Sequence, residues 1–116
     1  MITHITTSVA WDNALKAGGY ASDSLRSQGY IHCSKFSAEQ LLAVANSLYA
    51  GQSGLVVLMI EPERLHPEVR FEEFETSGTF FPHVYGPINL EAVVRVLPFP
   101  PQPDGTFQLP DVEARV

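Results

Sequence analysis

Three histidines have the side chains best suited to chemistry in this sequence. His4, His32 and His83 each have an apolar residue directly beside them, whereas a solvated loop histidine usually has polar neighbours. An imidazole titrates near neutral pH, donates or accepts a hydrogen bond and binds metals. We therefore predict that the three line one pocket. The alternative for each is a half-buried ring bonded to a backbone carbonyl. His66 lies in a Glu-rich turn and is predicted to be at the surface.

The single cysteine, Cys33, directly follows His32. Side chains alternate along a strand, so the two face opposite sides and His32 cannot activate the thiol. His4 or His83 would have to supply a base if Cys33 were a nucleophile. We expect Cys33 to be a buried core thiol instead.

The three histidines could also be ligands of a metal ion. Three histidines and a water would suit zinc, but these histidines are far apart in the sequence and no close-spaced ligand pair anchors them. We predict no metal. A three-histidine metal-dependent hydrolase is kept as a less favoured alternative.

Glu72 stands out in a charge-rich stretch that runs from Glu61 to Glu75. By strand alternation it shares a face with Arg70, so an ion pair is its plain role. A carboxylate pointing into a pocket would instead act as a general base or bind a ribose. Aromatic residues supply either core or a stacking surface for a flat ring such as nicotinamide or a nucleobase. They are Trp11, Tyr20, Tyr30, Phe80, Phe81 and Tyr85.

Composition excludes several classes of protein. A chain of 116 residues fits one domain, and its 45% hydrophobic and 17% charged residues are typical of a folded protein. The net charge is -6 and the seven Lys and Arg are scattered, so we expect no nucleic-acid partner. The longest strongly apolar run, Leu55 to Ile60, is too short to cross a membrane. No signal peptide is seen and one cysteine makes no internal disulfide, so a cytoplasmic location is expected by default.

The elements that must position these residues follow from periodicity. Met1 to Thr6 is predicted as a strand, and Thr7 or Ser8 caps a helix through Trp11, Ala14 and Leu15 that Gly18-Gly19 ends. Ser37 and Gln40 form a capping box for a second helix, with Leu41, Ala45 and Leu48 on one face. Further strands are predicted at 30–33, 55–60, 69–74 and 92–97, and one more lies between the last two, around His83-Val84-Tyr85. Strands outnumber helices and come late in the chain, which predicts an α+β fold.

The Pro-rich segment from Pro98 to Pro103 marks the one compositional break. Four prolines in six positions exclude a helix or a central strand. We predict a single domain over residues 1–98 and an extension over 99–116 that packs on or near the core. Within it, Asp104-Gly105 is a turn and Thr106 to Leu109 a short edge strand, followed by a surface tail to Val116.

Several of these clusters together resemble a known family. Gly29-Tyr30-Ile31-His32-Cys33-Ser34 and Phe81-Pro82-His83-Val84-Tyr85-Gly86-Pro87 are its most specific segments, with Trp11, Tyr20, Ser24-Leu25, Gln40 and Leu58 between and before them. The chain is similar to the bacterial domain-of-unknown-function 952 family from Met1 to about Pro98. The resemblance implies a fold like that of the ADP-ribosyltransferases and RNA 2′-phosphotransferases. That fold has two small bent antiparallel or mixed sheets and two main helices, and it holds the nicotinamide end of NAD.

The resemblance also implies roles for particular residues. His4-Ile5-Thr6 resembles a first-strand segment whose histidine bonds a ribose, with Ile5 where those enzymes have Gly. His32 and Ser34 resemble the His-Leu-Ser of the phosphotransferases. His83 stands where the transferases carry a catalytic Glu, and an imidazole stabilises an oxocarbenium-like transition state less well than an anion does.

We therefore predict a histidine-lined pocket for NAD, ADP-ribose or a related nucleotide. Its catalytic residues would be His32 and His83, and its ligand-binding residues His4, Thr6, Tyr20, Ser34 and Tyr85. NAD is the one cofactor considered. The chain would be a divergent transferase without the usual catalytic Glu, or a non-catalytic nucleotide-binding or sensor module.

Overall fold

A computed structural model describes residues 1–114 as an α+β fold of small antiparallel sheets and short helices. Its strands, in chain order, are β1 (Ile2–Thr7), β2 (Gly19–Tyr20), β3 (Ile31–His32), β4 (Ser34–Lys35), β5 (Leu55–Ile60), β6 (Val69–Glu73), β7 (Phe80–Val84), β8 (Ile88–Asn89) and β9 (Val93–Pro98). Its helices are α1 (Ser8–Ala17), α2 (Asp23–Gln28) and α3 (Ala43–Leu48), with a π-helical turn at Ala38–Leu42 and 3-10 turns at Pro62–Arg64 and Leu90–Ala92. Within these residues no helix is long and apolar enough to span a bilayer.

The strands form three sheets, not the two that were predicted. Their orders are β4-β1-β5-β9, β3-β7-β6 and β2-β8, and every pairing is antiparallel. The predicted strand 30–33 is split at Cys33, whose N–H donates to the Pro82 carbonyl, 3.0 Å away. Ile31 and His32 therefore pair with one sheet while Ser34 and Lys35 pair with another.

Strand β5 is the centre of the core. All six of its residues are buried, as its continuous apolar run predicts. Val56, Leu58 and Ile60 face one hydrophobic cluster, and Leu55, Val57 and Met59 face another. The strand is therefore covered on both faces, and β1 beside it presents alternate residues to the same two clusters.

Helix α1 follows β1 directly. The Thr7 side chain accepts from the Ala10 N–H at 3.0 Å, and Gly18 takes the left-handed conformation with φ of 87° that ends the helix. Trp11 and Ala14 are buried, whereas Leu15, which follows the same helical period, is 52% exposed. The core covers too narrow an arc of this helix to reach Leu15.

The second long helical segment begins at the predicted cap but differs from the prediction in two ways. Ser37 accepts from the Gln40 N–H at 3.2 Å, yet the Gln40 side chain does not return to Ser37. It accepts instead from the Lys35 N–H and donates to the Phe80 carbonyl. Leu48 was predicted to face the core and is 71% exposed. The first turn is π-helical, which rotates the following residues relative to an α-helical periodicity.

The residues after Pro98 contribute two aromatic rings to the second cluster. Phe99 and Phe107 are buried and stack with ring centres 4.7 Å apart. The strand predicted at 106–109 is absent from the described structure. Side chains satisfy the donors that a ladder would use, since Asp104 accepts from the Thr106 N–H and Asn46 from the Phe107 N–H. Residues 115 and 116 of the predicted tail lie outside the described part.

Candidate functional site

Two of the predicted histidines are brought together by strand pairing. His32 of β3 lies directly opposite His83 of β7 in an antiparallel register. Opposed residues of antiparallel strands project from the same face. The ring centres are 5.2 Å apart and the rings are nearly perpendicular, at 77°. Strands β4 to β6 and the second helical segment separate these residues in the sequence, and the pairing of β3 with β7 makes them neighbours.

Glu72 of the adjacent strand β6 holds His83. Its Oε1 atom lies 2.8 Å from Nδ1 of His83, and it also accepts from the Tyr85 hydroxyl. The bond from Tyr85, followed by that from His83, lowers the pKa of Glu72. The same carboxylate raises the pKa of Tyr85. A carboxylate only accepts, so Nδ1 of His83 carries the proton.

The other nitrogen of His83 is open to a ligand. Among residues 1–114, Nε2 has no hydrogen-bond partner, and no unpartnered side-chain nitrogen or oxygen of a non-exposed residue is fully buried. Nε2 therefore reaches solvent although the side chain is only 13% exposed. In the neutral ring fixed by Glu72, this atom carries the lone pair and can accept a proton or a hydrogen bond.

His32 presents a second open nitrogen. Its Nε2 lies 2.8 Å from the side-chain oxygen of Gln28, which leaves Nδ1 with the lone pair. The side chain is exposed. Burial and, secondly, the neighbouring His83 lower the pKa of His32. With one proton on each ring, the two imidazoles offer adjacent acceptor nitrogens.

Aromatic rings pack around the histidine pair. Tyr30 stacks on His83 with centres 4.2 Å apart and an angle of 15°, and meets the His32 ring edge-on at 4.9 Å. The Arg70 guanidinium lies 4.3 Å from the centre of the Tyr85 ring. Its ion pair is with Glu68, at 3.0 Å, where the sequence pointed to Glu72. We name the group of Tyr30, His32, Arg70, Glu72, His83 and Tyr85 the histidine cluster.

His4 belongs to a second polar group, behind the strand that carries His32. Its Nδ1 atom donates to the His32 carbonyl at 2.6 Å, and its Nε2 atom lies 2.8 Å from the Tyr20 hydroxyl. That hydroxyl lies 3.0 Å from Thr6 Oγ1. Burial lowers the pKa of His4 to about 4, against the smaller opposing effect of the His32 carbonyl. His4 is therefore neutral at pH 7, with both ring nitrogens engaged by the protein.

Cys33 and Ser34 lie away from the histidine rings. Cys33 is buried in the core, as predicted, and burial raises the pKa of its thiol. Ser34 is buried on β4 opposite Thr3, whose hydroxyl donates to the Ser34 carbonyl. Within residues 1–114, the Ser34 hydroxyl makes no hydrogen bond with any histidine.

The arrangement does not fit a three-histidine metal site. His4 has no free ring nitrogen. In the described residues, no group of three or more His, Cys, Asp or Glu side chains is placed to hold a metal ion. His66 is exposed, as predicted.

The surface around the cluster is open. A depression of about 480 Å³ lies beside it, lined by Gly18, Pro67, Tyr85 and Ile88 among others. It shares Tyr85 with the cluster but does not include His32 or His83. The histidine pair therefore faces an open surface beside this depression.

Two partners of the histidines were not predicted from the sequence. Glu72 was predicted to be a base only if its side chain pointed into a pocket. Strand alternation was the sequence signal that could have indicated which face this side chain lies on. Gln28, which holds His32 from four residues earlier, had no sequence signal. Tyr30 was counted among the aromatic residues without a role in the site.

Comparisons with known proteins agree with the family resemblance. The family model described as protein of unknown function (DUF952) matches residues 5–96. The crystal structure of protein CC0527 from Caulobacter crescentus is 30% identical, with 93% of each chain covered and a TM-score of 0.82. Its solution NMR structure is 32% identical over 93% of this chain and 91% of that one, with a TM-score of 0.78. No curated protein matches. The likeness to ADP-ribosyltransferases stays a prediction. The chain belongs to the family of unknown function DUF952.

Proposed function

We propose that the histidine cluster binds a nucleotide-like small molecule, either NAD, ADP-ribose or a related nucleotide. The observation that carries this proposal is the hydrogen bond from His83 to Glu72. It fixes the tautomer of one imidazole and leaves Nε2 free beside a second histidine. A ribose offers hydroxyl donors to two such acceptors, so the pair matches its chemistry.

The groups around the pair support the same class of ligand. Tyr30 and Tyr85 present rings on which a base or nicotinamide stacks. Arg70 brings a permanent positive charge to the edge of the cluster, where a phosphate would lie. A single cation suits a small anionic ligand better than a nucleic-acid backbone, in keeping with the net charge of -6.

Glu72 supports a transferase activity. The family resemblance implies that His83 stands where ADP-ribosyltransferases carry a Glu, and the neighbouring strand supplies a carboxylate 2.8 Å from that histidine. An anion at this point would stabilise positive charge developing on a ribose. In the proposed step, an acceptor hydroxyl forms a bond to C1 of the ribose and nicotinamide leaves with the bonding electron pair. Nε2 of His83 takes the hydroxyl proton.

The open surface favours a second candidate, a non-catalytic binding module. His32 is exposed, and transfer to an acceptor other than water requires that water be kept from the reacting carbon. A sensor would need only the acceptor nitrogens and the stacking rings. The two candidates share the ligand and differ in turnover.

Thermal unfolding with NAD, ADP-ribose and AMP tests binding, and release of nicotinamide from NAD tests turnover. A ligand at about 100 times its Kd stabilises the folded state by about 2.7 kcal/mol. We expect a rise in Tm that His83→Gln and Glu72→Gln reduce and that the exposed control His66→Gln leaves intact. Binding of NAD without release of nicotinamide would show that the protein is the non-catalytic binding module. No Tm shift with any of the three would contradict the proposal.

A further inference from the structure

Strand β6 is an edge strand with an unpaired outer side. It is the last strand of the sheet β3-β7-β6, and within residues 1–114 it pairs with β7 alone. The Tyr85 N–H donates to the Glu68 carbonyl and the Phe74 N–H to the Thr79 carbonyl. Because bonded pairs alternate along an antiparallel ladder, Arg70 and Glu72 bond to β7. The backbone groups of the residues between them, at 69, 71 and 73, point away from the sheet.

We propose that this edge pairs with the same edge of a second copy of the chain, antiparallel and centred on Phe71. Phe71 would form a hydrogen-bonded pair with Phe71 of the partner subunit, and Val69 would pair with Glu73 of the partner subunit. The three-stranded sheets of two subunits then join into one sheet of six strands. A two-fold axis through the centre of the pairing makes the contact self-complementary.

The charges on β6 select this register. Centred on Phe71, the pairing sets Arg70 opposite Glu72 of the partner subunit, and the two-fold axis repeats this contact. The neighbouring registers that keep the backbone bonds set Arg70 opposite its own copy or Glu72 opposite its own copy. Directly opposed like charges destabilise a strand pair. The sequence Val69-Arg70-Phe71-Glu72-Glu73 is therefore complementary to itself in one register.

The atoms that this contact needs are free. His83 and Tyr85 use only Oε1 of Glu72, and within the described residues Oε2 has no partner. The Arg70 guanidinium bonds Glu68 through Nη2 alone. One oxygen of the carboxylate can thus hold His83 while the other accepts from Arg70 of the partner subunit.

Exposed phenylalanines add an apolar driving force. Phe71 is 51% exposed, and Phe80 on the same face is 47% exposed. An edge strand with large exposed apolar side chains is a template for strand addition unless something covers it. Pairing centred on Phe71 sets this side chain beside Phe71 of the partner subunit, so each ring covers part of the other's exposed surface. It also sets both histidine clusters on one face of the joined sheet, although it does not depend on any ligand.

Sedimentation of the full chain over a wide concentration range tests the contact. We expect a wild-type dimer, and a dimer dissociation constant raised roughly tenfold or more by Arg70→Glu or by Glu72→Arg alone. The double variant with both changes restores opposite charges and should dimerise like wild type. Arg26→Glu and Glu39→Arg, exposed and outside β6, are the matched controls. A monomer at every concentration, or a dimer indifferent to the single reversals, would overturn the proposal.

Cross-linking tests the register itself. Cα atoms of a hydrogen-bonded antiparallel pair are about 5.5 Å apart, within reach of a disulfide. Phe71→Cys should therefore form a disulfide-linked dimer under oxidation, and Cys33 is buried and does not compete. Val69→Cys alone should not cross-link, because the two copies lie about 13 Å apart at four residues' separation. A mixture of Val69→Cys chains and Glu73→Cys chains should form a disulfide-linked dimer. Equal cross-linking of Phe71→Cys and Val69→Cys, or none in Phe71→Cys, would contradict the register.

Discussion

Nδ1 of His83 and Oε1 of Glu72 lie 2.8 Å apart, although 11 positions separate the residues in the sequence. The β6–β7 hairpin makes them diagonal neighbours on one face, since Glu72 opposes Phe81 and Arg70 opposes His83. This bond orients the imidazole whose other nitrogen faces solvent. The arrangement of the histidine cluster depends on this bond.

Replacing Glu72 by Gln should change how stability depends on pH. Bonds from Tyr85 and His83 lower the pKa of Glu72 below its ordinary value of 4.5. The carboxylate therefore stabilises the fold above that pH, and the contribution is lost as the pH falls through the folded-state pKa. We expect Glu72→Gln to be less stable than wild type at pH 7, with a difference that closes in acid.

Urea unfolding at a series of pH values measures this difference. Glu63→Gln controls for the loss of one exposed negative charge. A difference between Glu72→Gln and wild type that is as large in acid as at pH 7 would show that the carboxylate's charge is not what stabilises the pair.

His4 should remain neutral through the physiological range. Its folded-state pKa of about 4 lies below the ordinary value of 6.5. The unfolded chain therefore binds more protons between these values, so stability is full above pH 6.5 and falls as the pH drops toward 4. The total loss is at most about 3 kcal/mol. NMR titration of the histidine rings measures the pKa of His4 directly. A midpoint near pH 6.5 for His4 would contradict the burial of its ring.

Removing the Tyr20 hydroxyl should destabilise the fold. In Tyr20→Phe, Nε2 of His4 and Oγ1 of Thr6 lose the hydroxyl that lies 2.8 Å from the first atom and 3.0 Å from the second. An unsatisfied half-buried acceptor costs about 1 to 3 kcal/mol, and about 1 kcal/mol lowers Tm by about 4–8 °C in a domain of this size. Tyr49→Phe is the matched control, because among residues 1–114 its hydroxyl has no hydrogen-bond partner. Equal Tm values for the two variants would contradict the role of this bond.

Substitution of Gln40 should destabilise the fold more than substitution of an exposed polar residue. Its amide accepts from the Lys35 N–H at 2.9 Å and donates to the Phe80 carbonyl at 2.8 Å, so it joins the helical segment to two sheets. Gln40→Ala leaves both backbone groups without a partner and should cost about 2 to 4 kcal/mol. Urea unfolding measures this cost, with the exposed Gln52→Ala as control. A cost no greater than that of the control would show that water replaces the amide.

Local sequence patterns predicted where helices and strands lie better than they predicted which side chains are buried. The apolar run from Leu55 to Ile60 predicted a strand covered on both faces, and Ser37 predicted the start of a helix from its own local bond to the Gln40 N–H. Leu15 and Leu48 follow the helical period of residues that are buried, and yet both are exposed. How wide an arc a helix buries depends on its neighbours, and sequence spacing does not contain that information.

His32 and His83 were chosen by residue type, whereas their contacts depend on the registers of two strand pairs, β3 with β7 and β6 with β7. His32 and His83 were chosen for their apolar surroundings. Their contact needs β3 opposite β7, and that of Glu72 needs the turn between Phe74 and Thr79 to set the register of β6. His4 was grouped with them from the sequence, but it belongs to a separate polar group, where its two nitrogens contact the His32 carbonyl and the Tyr20 hydroxyl.

Nitrogen-detected NMR of the histidine side chains during titration with ADP-ribose and NAD tests the central claim most directly. The account predicts saturable shifts at Nε2 of His83 and Nδ1 of His32, while Nδ1 of His83 keeps its proton and the His4 nitrogens stay unchanged. Shifts confined to His66, or none at either open nitrogen with both ligands at about a hundredfold excess over the protein, would contradict it.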